Sequence, residues 1–168
     1  MSGQAHPKQA MRPFLPEDAP VLADIFRASI EELTQDDYSA AQQDAWAAAA
    51  DDEEIFAQKL AAQLTLVATL GGSPVGFASL ADNRTIDMLY VHPTVTGYGI
   101  AAMLVDALEK LAGSRGCMEL TVDASDTARG FFERRGYVAL QRNSVVCGGE
   151  WLASTTMTKD LLSTRSAR

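Results

Sequence analysis

The residues best placed to do chemistry follow one apolar stretch. Met88-Leu89-Tyr90-Val91 reads as a strand, His92-Pro93 stops it, and Thr96-Gly97-Tyr98-Gly99 leads into a helix. In that helix Ile100, Met103, Leu104, Ala107, Leu108 and Leu111 recur at the i, i+3, i+4, i+7 spacing of one buried face. Gly97 and Gly99 let backbone N–H groups approach a ligand with no Cβ in the way. The first four N–H groups of a helix lack intrahelical partners, and the macrodipole adds about half a positive charge there. A turn of this kind is suited to a phosphorylated ligand.

The elements that must position this turn can be read along the chain. Met11–Leu15 is expected as a first strand, followed by a helix opened by Pro16-Glu17-Asp18-Ala19-Pro20, with Val21, Leu22, Ile25, Phe26 and Ile30 on its apolar face. Ser39 can cap a second helix through Trp46, and Asp51 or Asp52 a third through Ile55, Phe56 and Leu60. Leu64–Leu70 and Val75–Leu80 read as strands joined through Gly71-Gly72, with Thr85–Val91 the next strand. After the glycine turn and its helix, to about Ala112, come a strand at Met118–Val122 and a helix at Ser125–Arg135. A closing hairpin runs from Tyr137–Val146 to Trp151–Lys159 across Cys147-Gly148-Gly149. The stretches Met1–Gln9 and Ser163–Arg168 are small and polar, so one domain is expected over residues 11–160, with flexible tails at 1–10 and 161–168.

Composition narrows the function classes. The 168 residues suit a single domain, and 47% hydrophobic residues can fill a core. Fourteen Lys and Arg against 22 Asp and Glu leave a net charge of −8, which argues against nucleic acid or an anionic membrane as partner and favours a cationic acceptor. Cys117 and Cys147 are too few for a disulfide framework and lack metal-ligand spacing, so no metal is expected. No apolar run approaches a membrane span, and the first residues lack the core of a signal peptide; a cytoplasmic location is the expectation.

Gly97-Tyr98-Gly99-Ile100-Ala101-Ala102 formally fits G-x-G-x-x-A, the dinucleotide fingerprint. That fold puts its glycines directly after the first strand, with an acid about 20 residues on at the end of the next one. Here Pro93 and its neighbours intervene, and Glu119 would begin the next strand. Read from Thr96 to Ala101, the same residues resemble the acetyl-coenzyme A signature R/Q-x-x-G-x-G/A of the GNAT superfamily of N-acetyltransferases. The segment Ser125-Asp126-Thr127-Ala128-Arg129-Gly130-Phe131-Phe132-Glu133-Arg134-Arg135-Gly136-Tyr137 is similar to the family's N-x-x-A-x-x-F-Y-x-x-x-G-F. The resemblance spans about Met11 to Asp160 and looks closest to a bacterial subset with Phe in place of the usual catalytic Tyr. It implies an α/β (α+β) fold, a mixed, mostly antiparallel central sheet of about seven strands with helices on both faces.

The resemblance also implies acetyl-coenzyme A as cosubstrate. Backbone of Leu89, Tyr90 and Val91 would pair with the pantetheine arm, and N–H groups from Thr96, Gly97, Tyr98, Gly99, Ile100 and Ala101 would hold the pyrophosphate. Ser125, Phe131 and Phe132 would flank the pantetheine and its sulfur. Three positions depart from the family: Thr96 for Arg or Gln, Ser125 for Asn, and Phe132 for the tyrosine that protonates the departing thiolate. The family is rich in dimers, which leaves a homodimer open.

Acetylating an amine requires its neutral form, and at pH 7 an alkylamine is ~99.9% protonated, a cost of about 4 kcal/mol. A carboxylate in a cleft can take that proton. Asp87, on the strand entering the turn, is the candidate base, with an ordinary salt bridge as its competing role. Asp123 is a second carboxylate whose expected role is to cap the following helix; His92 is expected as a loop residue and Tyr137 as core, although either could serve as base or acid. Tyr38, Trp46, Glu150 and Trp151 are the acceptor-binding candidates, and Cys147 is a nucleophile without a visible base. The expected reaction is direct transfer of an acetyl group to a primary amine of a small molecule or protein. A non-catalytic acyl-coenzyme A-binding module and an NAD-dependent enzyme are the alternatives.

Overall fold

Two apolar faces of one sheet organise the chain. The computed structural model describes residues 7–162. Its strands are β1 (Gln9–Pro13), β2 (Leu64–Leu70), β3 (Ser73–Ala81), β4 (Thr85–Val91), β5 (Glu119–Ser125), β6 (Val138–Cys147) and β7 (Glu150–Asp160), paired in the order β1-β2-β3-β4-β5-β7-β6. Only β4 and β5 run parallel; the other neighbours are antiparallel. The helices are α1 (Ala19–Leu33), α2 (Ala40–Ala47), α3 (Glu53–Ala62), α4 (Ile100–Ser114) and α5 (Arg129–Arg134).

Helices α1 to α3 cover one face, where Leu22, Ile25, Phe26, Ile30, Phe56 and Leu60 pack on Val67, Phe77 and Met88. Helices α4 and α5 cover the other, with Leu104, Val105, Leu108 and Phe132 on Leu66, Ala78, Leu80, Ile86, Leu120 and Val122. Each fully buried Leu or Ile in these layers stabilises the fold by about 1.5–3 kcal/mol. The caps follow the sequence: Ser39 and Gln42 form a reciprocal capping box at α2, and Asp52 accepts the Ile55 amide at 3.1 Å to start α3.

The sheet is irregular where it matters. On β3, Ser79 faces Met88 and Leu80 faces Ile86, so Asp87 is an extra residue of β4 with no partner on β3. Such a bulge bends its strand and locally reverses which face the side chains take.

Several expected boundaries move. β1 starts at Gln9 because it pairs with β2 up to Leu70, and it ends at Pro13, a residue tolerated on an edge strand. Gln9 and Ala10 therefore belong to the sheet, and Leu161 is buried with its amide on the Met118 carbonyl; the outer parts of both expected tails lie outside the described residues. β5 extends to Ser125, held by pairing with Ser154, so the helix expected from Ser125 shrinks to the six residues of α5. Ser125 instead accepts the Ala128 amide at 3.1 Å in the turn between them. A doubly wound parallel sheet, which the dinucleotide reading requires, is excluded by this topology.

Candidate active site

β4 and β5 share a ladder at two positions only, Thr85 with Thr121 and Ile86 with Val122. Past the Asp87 bulge the strands part, and a cleft of about 600 Å³ opens between Asp87–Val91 and Val122–Ser125. The start of α4 closes one end, and Phe131 and Phe132 of α5 line it. Leu89, Tyr90 and Val91 are paired on the β3 side and have no ladder partner on β5. Their backbone can therefore take an extended ligand as an added strand.

The glycine turn supplies the second feature. Gly97 and Gly99 have φ of +89° and +78°, a conformation that side chains disfavour, and both line the cleft with open space where a Cβ would stand. Ile100 and Ala101 also line it, with helix-start amides that have no intrahelical acceptor. Thr96 and Tyr98 differ from expectation. Their amides bond within the turn, to the carbonyls of Pro93 and Val95, and the Thr96 hydroxyl donates to Pro93 at 2.8 Å. Thr96 thus tightens the turn, while Tyr98 is exposed, outside the cleft lining, with its carbonyl accepting from Gln9.

Two carboxylates line the cleft. One oxygen of Asp87 accepts from Gln63 at 3.0 Å and lies 3.3 Å from the Lys59 ammonium, both on the α3 side. Its other oxygen has no partner among the described residues. Asp123 stands inside β5 and accepts from the Thr156 hydroxyl at 2.6 Å; it caps no helix, since the strand continues past it. His92 accepts the Thr94 amide through Nδ1 and starts a short 3-10 turn, outside the cleft lining.

The phenols sort cleanly. Phe132 is buried among Phe131 and Tyr137, with no proton to donate. Tyr137 is core, its hydroxyl donating to Glu109 at 2.9 Å and not lining the cleft; burial, reinforced by the Glu109 charge, pushes its pKa up. Tyr90 is the phenol that does line the cleft, accepting from the Trp46 indole at 3.2 Å, and burial pushes its pKa up as well.

A recess of about 180 Å³ adjoins the cleft and shares Trp46, Tyr90, Asp123 and Ser125 with it. Tyr38 lines this recess, its hydroxyl donating to the Ala153 carbonyl at 2.6 Å and accepting the Asp126 amide at 2.9 Å. Glu150 and Trp151 line neither space: they sit at the tip of the β6–β7 hairpin, where Trp151 is 63% exposed. Val145, Leu152, Ala153 and Ser154 take the hairpin's share of the wall instead. Cys147 donates weakly to the Ala45 carbonyl at 3.4 Å, and both cysteines are free.

Two contributors escaped the sequence reading. Arg134 is the cation among the residues lining the cleft, and only α5's short span brings it there. At Gly76 an added Cβ would stand 3.1 Å from the Tyr90 carbonyl oxygen and 3.2 Å from Ile100 Cγ2, so a side chain there would push β4 and α4 apart. No cluster of His, Cys, Asp and Glu able to hold a metal occurs among the described residues, and no helix among them is long and apolar enough to cross a membrane.

Residues 34–161 match the family model described as Acetyltransferase (GNAT) domain. The chain is 37% identical over 147 residues to the uncharacterized N-acetyltransferase YafP of Escherichia coli (strain K12), covering 88% of this chain and 93% of that protein. Among solved structures, a GCN5-related N-acetyltransferase from Rhodopseudomonas palustris superposes with a TM-score of 0.90 at 62% identity, covering 95% of this chain and 99% of that one. The PaiA N-acetyltransferase of Thermoplasma acidophilum, solved in complex with coenzyme A, superposes at 0.75 with 19% identity over 91% of this chain and 99% of its own.

Proposed function

This chain belongs to the GNAT family of acetyltransferases, and from that membership we propose that it moves the acetyl group of acetyl-coenzyme A to a primary amine of a small molecule or protein by direct attack of the amine on the thioester. The observation that carries the reading is the parting of β4 from β5 beside the glycine turn: one cleft joins an unpaired strand backbone to free helix-start amides. That pairing of features fits a ligand with an amide-bearing arm and a pyrophosphate, and the coenzyme A complex of the PaiA protein supports it. Bound acetyl-coenzyme A would supply the activated acetyl group.

The chain's residues then divide the work. Leu89, Tyr90 and Val91 would bind the arm through their backbone, with an N–H aimed at the developing oxyanion. Amides of Gly97, Gly99, Ile100 and Ala101 would hold the pyrophosphate, and Arg134 would supply the cation that Thr96 does not. Ser125, Phe131 and Phe132 would flank the thioester end. Asp87 would take the amine's proton on its unpartnered oxygen. The C–N bond would form as the C–S bond breaks, and the second proton lost by the nitrogen would pass to the departing sulfur, so that coenzyme A leaves as the thiol without a dedicated acid.

Thermal unfolding with and without acetyl-coenzyme A tests the cosubstrate, with NAD as control. At 100 times its dissociation constant a ligand stabilises by about 2.7 kcal/mol, which raises the midpoint by about 5–10 °C at this chain length. A rise with acetyl-coenzyme A alone is expected; a rise with NAD alone, or none, overturns the reading.

A further inference from the structure

We propose that the recess beside the cleft is the ammonium site of the acceptor, with Asp123 as its anion, and that the acceptor is a small monoamine carrying an apolar or aromatic body. This deepens the acetyltransferase reading and rests on it for the reaction, but not for the binding site itself.

The recess adjoins the cleft across four shared lining residues, so a group held in it would stand next to the cosubstrate's space. Two of its polar handles are already used by the protein. Both hydrogen-bonding capacities of the Tyr38 hydroxyl go to backbone, and the Trp46 N–H goes to Tyr90. What Tyr38 and Trp46 offer a ligand is therefore ring surface, and Tyr90 adds a ring and a hydroxyl proton, the rings standing edge to face with centroids 5.3 and 6.3 Å apart. Ring faces attract cations and apolar groups.

Asp123 is the acid of the recess and is held in place. Asn143 donates to the Thr156 hydroxyl at 2.7 Å, and that hydroxyl donates to Asp123 at 2.6 Å, a chain crossing β6, β7 and β5. No Lys or Arg sits on Asp123 among the described residues, whereas Asp87 carries Lys59 and Asp126 carries Arg142. An oriented carboxylate without a counter-ion, on the wall of a recess that Tyr38, Trp46 and Tyr90 also line, suits a primary ammonium. No cation lines the recess to receive a carboxylate, and about 180 Å³ is below the volume of a drug-sized site. A compact monoamine fits both limits.

The test is calorimetric titration of the full chain, with and without coenzyme A, using butylamine, benzylamine and 2-phenylethylamine at pH 7. At least one amine should bind, and its neutral counterpart alcohol should bind about tenfold to a hundredfold more weakly, the worth of a charge-assisted hydrogen bond. Asp123→Asn, which can still accept from Thr156, should lose the same factor while its midpoint shift with acetyl-coenzyme A stays that of the native chain. Binding by none of the amines, equal binding of alcohol and amine, or undiminished binding by the variant overturns the proposal. Absence of a shift with acetyl-coenzyme A would instead overturn the cosubstrate reading and leave the amine titration to stand alone. The alcohol comparison needs no variant, so a poorly folded Asp123→Asn chain does not blunt it.

Discussion

Ile86 and Met88 are two residues apart on β4 yet enter opposite cores, Ile86 beneath α4 and Met88 beneath α1 and α3. In a regular strand they would share a face. The reversal is the work of Asp87, which stands between them without a partner on β3. The same residue thus ends the parallel ladder to β5, opens the cleft and presents its carboxylate there. Architecture and candidate chemistry coincide at one position.

The two roles separate by mutation. Asp87→Asn keeps the residue count and should leave the fold intact, with acetyl-coenzyme A binding unchanged and kcat lowered about 10² to 10⁴-fold, the usual worth of a proton acceptor. Deleting Asp87 makes Ile86 and Met88 neighbours on a regular ladder with β3, each still facing its own core, so the deleted chain should fold but lose the bend that parts β4 from β5, and its acetyl-coenzyme A shift should shrink. Steady-state kinetics on the first variant and thermal unfolding with and without acetyl-coenzyme A on the second decide the matter. A deletion variant with an undiminished acetyl-coenzyme A shift would refute the architectural role.

Arg134→Ala tests the cation of the cleft. Arg134 is exposed, so a contact with a polyanionic ligand would be solvent-screened. The dissociation constant of acetyl-coenzyme A should rise about threefold to tenfold at low salt and by less as ionic strength shortens the Debye length. Titration at two salt concentrations measures both; identical constants for the two chains would remove Arg134 from the site.

Gly76→Val addresses the approach of α4 to the sheet. Its Cβ would crowd the Tyr90 carbonyl and Ile100, one on β4 and the other at the start of α4. Overpacking of this kind costs about 1–3 kcal/mol. The denaturation midpoint should fall and the acetyl-coenzyme A shift should shrink with it, since both halves of the site move. A variant with lower stability but an unchanged ligand shift would confine Gly76 to packing.

The order of elements was legible because hydrophobic periods and caps are local: Ser39, Asp52 and Gly71-Gly72 announce their helices and hairpin. The glycine turn was legible for the same reason. The bulge at Asp87 was not, since register depends on the neighbouring strand and no residue in Thr85–Val91 marks it. Asp123 was misread as a helix cap because only pairing with β7 shows that the strand runs on to Ser125. Glu150 and Trp151 were assigned to the acceptor by their place in the final hairpin, while its geometry puts them at the tip. Arg134 lay in plain view on α5, but nothing short of the packed fold places it in the cleft.

The buried contact of Tyr137 with Glu109 gives the chain an alkaline limit. Burial and the carboxylate both favour the neutral phenol in the folded state, so its pKa there lies above the unfolded value of about 10. The stabilisation is complete below that value. As pH rises through it, the unfolded chain releases a proton that the folded chain keeps, and stability falls by as much as about 1.4 kcal/mol per pH unit for this one group. Tyr137→Phe removes the titrating proton and one hydrogen bond, so it should be about 0.5–1.5 kcal/mol less stable at pH 8 and lose less between pH 10 and 11. Tyr38 and Tyr90, also pushed up by burial, leave a residual slope in the variant. Urea unfolding of both chains at pH 8, 10 and 11 measures the difference, and parallel slopes would show that the Tyr137 phenol does not set the limit.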